Sequence, residues 1–260
     1  MKKPKLVVAN WKMHLNVHQA SVLVNKLDAK VAVHRGVEVV LAPNYLDLQP
    51  ISLEIDRRKF KLASQDGYPV DEGSYTGEVS FAQLRELVHY AIIGHSERRR
   101  YFGESLELIR DKMAAAVRNG IVPILCVGET KEERQDKETK QVLHDQITTA
   151  LSDLTSEDIE SVIIAYEPVW AIGGHQPAKP KDIEQAVSWI RYQVSELYGQ
   201  TSADSVRILY GGSDEPEFVA SIMDVDGVDG LLVGHASLDA QQFADIIQGA
   251  YLASLSDPRG

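Results

Sequence analysis

Cysteine is almost absent from this chain: Cys126 is the only one among 260 residues, so no internal disulfide can form. This scarcity is typical of proteins kept in a reducing compartment, and we expect a cytoplasmic location. No apolar run approaches the roughly 18–20 residues of a membrane-spanning helix. The first apolar run, Leu6–Ala9, ends at Asn10 and is shorter than the apolar region of a secretory signal peptide, about 7–15 residues. We therefore expect no membrane partner.

Positive charge is also scarce, with 27 Lys and Arg against 38 Asp and Glu, a formal net charge of −11. Such a chain repels nucleic acid and anionic membranes, so we expect no nucleic-acid partner. Any anionic substrate must be held by a local pocket of cations and backbone N–H groups, because the overall field opposes it.

Signatures of cofactors and metals are missing too. No G-x-G-x-x-G or P-loop pattern supports a nucleotide cofactor, and we expect none. His14 and His18 are spaced i,i+4, as in some metal sites, but no acidic third ligand accompanies them, so we expect no metal. Linkers rich in Pro, Gly or Ser are also absent. We therefore expect residues 1–260 to form one domain.

A regular alternation runs through the chain. Short apolar runs rich in β-branched residues, typical of strands buried on both faces, are separated by segments with a helical period of 3.6. The clearest helical stripe contains Ile183, Val187, Ile190, Val194 and Leu197. The length is close to the roughly 250 residues of a complete (β/α)8 barrel, and we predict this α/β fold. The eight predicted strands are Leu6–Ala9, Val37–Ala42, Lys61–Ser64, Tyr90–Gly94, Val122–Val127, Val162–Tyr166, Arg207–Tyr210 and Gly230–Val233.

Two segments lack any periodicity, residues 65–80 and 167–178. Loops this long inside a compact domain are usually functional, although a tolerated surface insertion is the alternative for each. Both follow the predicted C-terminal ends of strands, the face on which barrel enzymes place their chemistry. We therefore expect both loops to contribute to function.

Candidate catalytic side chains stand at the same strand ends. Asn10 and Lys12 follow the first strand, His95 the fourth and Glu167 the sixth. They supply a carboxylate base, an imidazole acid or electrophile, and a cation, without a nucleophile–histidine pair. Glycine-containing loops follow the seventh and eighth strands, where barrels commonly bind phosphate through backbone N–H groups. Together these groups indicate proton abstraction beside a carbonyl in a phosphorylated substrate.

Five motifs carry a resemblance to a known family. In order and with matching spacing, they resemble the signatures of the triosephosphate isomerase family over essentially the whole chain, which implies a single-domain TIM barrel. The motifs are NWKM (Asn10–Met13), TGE (Thr76–Glu78), GHSERR (Gly94–Arg99), AYEPVWAIG (Ala165–Gly173) and YGGS (Tyr210–Ser213).

The resemblance implies a role for each catalytic candidate. Glu167 would abstract a carbon-bound proton and return it to the neighbouring carbon, and a neutral His95 would polarise the carbonyl. Lys12 would balance the charge of the enediolate and phosphate, with Asn10 shaping the same oxyanion site. Glu97 is expected to be a supporting partner of Lys12.

The resemblance also implies how the substrate is held. Backbone N–H groups of Gly173, Ser213 and Gly234 would bind the phosphate, and residues 168–178 would form a lid over it. The phosphate loop usually contains Gly-Gly, but His235 replaces the second glycine here. This keeps an N–H group, although a position requiring positive φ would be strained. We expect the His235 ring to point away from the ligand.

Further expectations concern the lid, the subunit contact and the thiol. After Ile-Gly the lid usually reads Thr-Gly-Lys-Thr-Ala, whereas residues 174–178 read Gly-His-Gln-Pro-Ala, which puts the lid closure rate in doubt. The resemblance implies a homodimer in which loop 65–80 docks into the partner, with Thr76 near its active site. We expect Cys126 to be a buried packing residue, and Glu129 and Arg134 to form an ion pair beside the lid.

Two other functions stay open from the sequence. The altered phosphate loop also allows a related aldose–ketose isomerase that acts on a four-carbon phosphate. A barrel that has lost catalysis and serves only in binding is a third possibility, but such a protein could lose Glu167 or Lys12 without penalty, and both are present.

Overall fold

The computed structural model describes residues 3–33, 35–172, 178–212 and 215–256. Its strands pair in parallel, in chain order, and β1 pairs with β8, so that the sheet closes on itself. The predicted (β/α)8 barrel is confirmed, and the strand ends differ from the predicted ones by at most one residue. The strands are β1 (Lys5–Asn10), β2 (Val37–Ala42), β3 (Phe60–Ser64), β4 (Tyr90–Ile93), β5 (Val122–Val127), β6 (Ile163–Tyr166), β7 (Arg207–Tyr210) and β8 (Gly230–Val233).

Helices surround the barrel and fill the connections between strands. They are α1 (Val17–Lys30), α2 (Tyr45–Glu54), α3 (Phe81–Leu84), α4 (Ser96–Phe102), α5 (Leu106–Arg118), α6 (Lys131–Gln135), α7 (Thr139–Leu151), α8 (Ser156–Ile159), α9 (Pro180–Tyr198), α10 (Gln200–Ser205), α11 (Val219–Met223) and α12 (Ala240–Ser256). Short 3-10 turns span Val169–Ala171, Pro216–Phe218 and His235–Leu238. In the described ranges, no helix combines the length and apolar character needed to cross a membrane.

The core has two layers because successive side chains of a strand point to opposite faces. Leu6 and Val8 of β1 point into the barrel, whereas Val7 and Ala9 pack outward against the helices. The predicted stripe of α9 lies in the outer layer, with the exception of Leu197, which is 39% exposed. Inside the barrel, a Cβ atom at Gly230 would lie 1.9 Å from the carbonyl oxygen of Leu6, so glycine permits closure there.

Because all strands are parallel, the segments that follow them open on one face of the barrel. Loop 65–80 is held at its base, where the Tyr68 N–H donates to Val79 O at 2.8 Å. A capping box formed by Ser80 and Gln83 then starts α3. Residues 70–78, between these fixed ends, are all exposed. The loop therefore projects from the face on which the candidate site lies.

Truncation of the α9 stripe should destabilise the barrel. Ile190 is fully buried, so Ile190→Ala removes buried methylenes and leaves a cavity, which should cost about 2–5 kcal/mol of unfolding free energy. Tyr192→Ala on the same helix is the matched control, because Tyr192 is 54% exposed and its change should stay within about 0.5 kcal/mol. Urea unfolding of both variants checks this. Equal losses in the two would contradict the burial argument.

Candidate active site

A carboxylate and an imidazole meet at the centre of the carboxyl-end face. Glu167 follows β6 and is 2% exposed, and His95 follows β4 and is 7% exposed. Oε1 of Glu167 lies 3.0 Å from Nε2 of His95, and its Oε2 accepts a hydrogen bond of 3.0 Å from the Ser96 N–H. The two candidates that the sequence placed 72 positions apart are therefore in direct contact.

The start of α4 decides which nitrogen of His95 carries the proton. His95 is the N-cap of this helix, and its Nδ1 accepts a hydrogen bond of 3.2 Å from the Glu97 N–H. A ring nitrogen that accepts cannot carry a proton, so the imidazole is neutral and its proton resides on Nε2. That N–H therefore donates to Glu167.

The surroundings of Glu167 favour its ionised form. Burial by itself raises the pKa of this carboxyl, whereas the hydrogen bonds donated by His95 and by the Ser96 N–H and the charge of Lys12 lower it. The pKa of Glu167 is consequently held below its ordinary value. A carboxylate that is ionised at neutral pH can accept a proton.

Lys12 adopts a strained backbone conformation just beyond β1. Its φ of +50° is uncommon for a residue with a Cβ atom, and three contacts hold it there. The Lys12 N–H donates to Asn10 Oδ1 at 3.1 Å, and its carbonyl accepts from Gln65 Nε2 at 2.8 Å. The ammonium group forms an ion pair of 2.7 Å with Glu97, the contact expected from the sequence.

The loop after β8 lies beside Lys12. A Cβ atom at Gly234 would come within 3.8 Å of Lys12 Cε, and the Gly234 carbonyl accepts from Ser237 Oγ at 2.6 Å. His235 is exposed and does not have positive φ, so the backbone strain considered for this position is absent. Gly173 and Ser213, the other two expected phosphate donors, lie outside the described residues.

Both ends of the expected lid are fixed by hydrogen bonds. At one end, the fully buried Glu129 side chain accepts hydrogen bonds from Trp170 Nε1 at 2.9 Å and from the Tyr166 hydroxyl. It also forms an ion pair with Arg134 at 3.3 Å, which confirms the predicted pair. At the other end, the Ala178 N–H donates to the Tyr210 hydroxyl at 2.9 Å. The unusual residues 174–177 lie outside the described residues.

Cys126 lies next to Glu167. It is 1% exposed, which confirms the prediction that it is buried. Burial raises the pKa of its thiol well above the ordinary value, and the neighbouring Glu167 carboxylate raises it further. The residue also lines a cavity of about 610 Å³, whose lining includes Glu167, Trp170 and Gln146 but neither Lys12 nor Gly234.

Some supporting residues had no role assigned from the sequence. Gln65 holds the Lys12 carbonyl, and the guanidinium of Arg99 donates to Gly94 O at 2.7 Å and to Cys126 O at 2.8 Å, bridging the ends of β4 and β5. Arg99 belongs to the GHSERR motif, but the motif does not indicate which groups the Arg99 side chain binds. Within the described part of the chain, no group of three or more His, Cys, Asp or Glu side chains could hold a metal ion.

The thiol of Cys126 should resist alkylation in the folded protein. Its pKa is raised and its side chain is buried, so the reactive thiolate is scarce and inaccessible. Iodoacetamide at pH 8 should add to the chain at least about tenfold faster in urea, where the thiol has its ordinary pKa of about 8.5. Since the chain has one cysteine, the mass increase measured over time reports this site alone. Similar rates in both states would show that the thiol is accessible.

Comparison with known proteins assigns the family. The family model described as triosephosphate isomerase matches residues 5–250. A triosephosphate isomerase of Thermoanaerobacter sp. (strain X514) is 42% identical over 248 residues, which cover 95% of this chain and 99% of that protein. Proteins with the same name from Thermodesulfovibrio yellowstonii and Pelobacter propionicus are each 42% identical, cover 94% and 93% of this chain, and are themselves covered to 98% and 97%. The chain belongs to the triosephosphate isomerase family.

Proposed function

We propose that this protein interconverts D-glyceraldehyde 3-phosphate and dihydroxyacetone phosphate by proton transfer through an enediolate. Membership of the family supports the reaction class. The observation that carries the proposal is the buried contact of 3.0 Å between Glu167 and the protonated nitrogen of His95, with Lys12 at the same end of the barrel. A base, a hydrogen-bond donor and a cation are the groups that proton transfer beside a carbonyl requires.

In the enzyme without substrate, the carboxylate of the base Glu167 is occupied by two hydrogen bonds. The Nε2–H of His95 and the N–H of Ser96 both donate to Glu167. When the substrate binds, its carbonyl oxygen takes the hydrogen bond of His95, and one carboxylate oxygen of Glu167 is released. Glu167 then removes the proton from the carbon next to the carbonyl, the C–H electron pair forms the enediolate double bond, and the carbonyl π pair moves onto its oxygen. The hydroxyl proton passes to that former carbonyl oxygen, the other oxygen becomes the new carbonyl, and Glu167 returns its proton to the neighbouring carbon.

The remaining site residues bind the charge of the substrate. We assign Lys12 to the enediolate and phosphate, with Asn10 shaping its backbone and Glu97 orienting its ammonium group. Gly234 is beside Lys12, which supports a phosphate position at its N–H, together with the N–H groups of His235, Gly173 and Ser213. These local donors and the cation are needed because the net charge of −11 repels an anionic substrate.

A coupled assay of turnover with two substrates tests the four-carbon alternative. Turnover of glyceraldehyde 3-phosphate is compared with turnover of a four-carbon aldose phosphate at equal concentrations. A higher kcat/KM for the four-carbon substrate would show that the enzyme is the four-carbon isomerase. Absence of turnover with both substrates would support a catalytically silent barrel.

Glu167→Gln should nearly abolish turnover without unfolding the protein. The amide keeps the size of the side chain but cannot accept the proton, and loss of a general base typically costs about 10²–10⁴-fold in rate. Glu132→Gln is the matched control, since Glu132 is exposed on α6. A coupled assay gives kcat for both variants. If Glu167→Gln keeps a tenth of the wild-type kcat, the assignment of the base is wrong.

We also propose that the enzyme is a cytoplasmic homodimer, with residues 1–260 as one catalytic domain. The segments after β1 to β4 expose apolar side chains on neighbouring parts of the rim, a pattern that marks a subunit interface. Met13 is 95% exposed, Leu46 82%, Tyr101 66% and Phe102 68%. The projecting loop 65–80 lies among them, which supports docking of this loop into the partner.

Thr76→Asp should weaken the dimer, because an unpaired charge would be buried where loop 65–80 meets the partner. Thr201→Asp, at an exposed position in the first turn of α10, is the matched control and should leave association unchanged. Sedimentation velocity over a concentration series measures the dissociation constant of each. A monomeric wild type, or equal dissociation constants for both variants, would refute the proposed interface.

A further inference from the structure

The backbone of the catalytic glutamate rests on the segment that follows β5. The Glu167 N–H donates to Val127 O at 2.7 Å. The next residue, Gly128, packs so closely that a Cβ atom there would lie 1.8 Å from the carbonyl oxygen of Glu167. The position of Glu167 therefore depends directly on the position of the Gly128 peptide groups.

A single side-chain amide holds Gly128 from the other side. Oε1 of Gln146 accepts from the Gly128 N–H at 2.8 Å, and Nε2 of Gln146 donates to the Gly128 carbonyl at 3.2 Å. Both backbone groups of the glycine are thus bound by one planar group. Gln146 lies on α7, which Leu143 and Ile147 anchor in the core, so the amide connects Gly128 to a rigid element.

The same segment also contacts the first residues of the expected lid. Glu129 directly follows Gly128, and its carbonyl accepts from the Val169 N–H at 3.1 Å. Its side chain accepts from Trp170 Nε1 at 2.9 Å. A shift of Gly128 would therefore move the base and the first residues of the expected lid together.

We propose that Gln146 is a positioning residue for proton transfer: its amide, through Gly128, fixes the backbone of Glu167 relative to His95. This inference rests on the proposed function. Gln146 does not need to touch the substrate: it lines a cavity together with Glu167, and the lining of that cavity includes neither Lys12 nor Gly234. Its loss should therefore impair removal of the proton more than binding of the phosphate.

Gln146→Met tests this, because methionine keeps the unbranched shape and removes both hydrogen bonds. We expect kcat to fall about 5- to 100-fold, since misplacement of a catalytic group by about 1 Å can cost 10²-fold, while KM changes less than about twofold. The primary deuterium isotope effect on kcat, measured with substrate labelled at the transferred position, should increase because proton abstraction becomes slower relative to the other steps. Gln141→Met is the matched control on α7, where Gln141 is exposed and bonds Asp145.

Gln146→Glu adds a readout that a purely structural role would not produce. The introduced carboxylate can accept from the Gly128 N–H but opposes the Gly128 carbonyl, whereas its protonated form can donate to that carbonyl and restore both bonds. Partial burial and the nearby Glu167 carboxylate should raise its pKa above the ordinary value of about 4.3. The ratio of the variant's kcat to the wild-type kcat should therefore rise as pH falls from 8 to 5.

The outcomes are separable. The positioning role would be overturned if Gln146→Met keeps a kcat within twofold of wild type. It would also be overturned if kcat falls but the isotope effect is unchanged. A lower melting temperature of the variant would not alter either conclusion. If Gln146→Met does not fold, a kcat ratio for Gln146→Glu that does not change with pH overturns it. Failure of the proposed function is distinct, because it appears in the wild-type enzyme as absence of triose phosphate turnover.

Discussion

The burial of an ionised carboxylate is the constraint around which this barrel is arranged. Removing Glu167 from water is unfavourable unless hydrogen-bond donors replace the lost solvation. The donors come from one place, the start of α4, where His95 Nε2–H and the Ser96 N–H each lie 3.0 Å from the carboxylate. Glycine also leaves room beside it, since a Cβ atom at Gly211 would lie 3.0 Å from Glu167 Cγ, a tight contact.

A second feature of the site is stored strain at Lys12. A non-glycine residue with positive φ persists only where its surroundings over-determine it. Asn10 and Gln65 bind the backbone on either side of the residue, and Glu97 binds the ammonium group. Because Glu97 belongs to the same short helix that His95 caps, α4 orients the cation, the imidazole and the base together.

The departures from the family pattern fall in the loops, not in this arrangement. His235 occupies a position where the family usually has glycine, yet its backbone avoids the left-handed region and its side chain is exposed. The peptide N–H is therefore retained while the ring is kept in solvent. Such a substitution changes the surface beside the proposed phosphate site without requiring any change in the groups proposed to transfer the proton.

The sequence by itself determined the strands, the helical stripes and the candidates for the catalytic residues, because these depend on local periodicity and on short motifs. His95, Glu167, Lys12 and Asn10 could all be named in this way. Only the tertiary structure decided how they are held: Gln65 on the Lys12 carbonyl, Arg99 on the ends of β4 and β5, and Gln146 on Gly128. Each of these side chains bonds to a backbone group far along the chain or on another element. Since every residue except proline offers the same N–H and C=O groups, such contacts leave no pattern in the sequence.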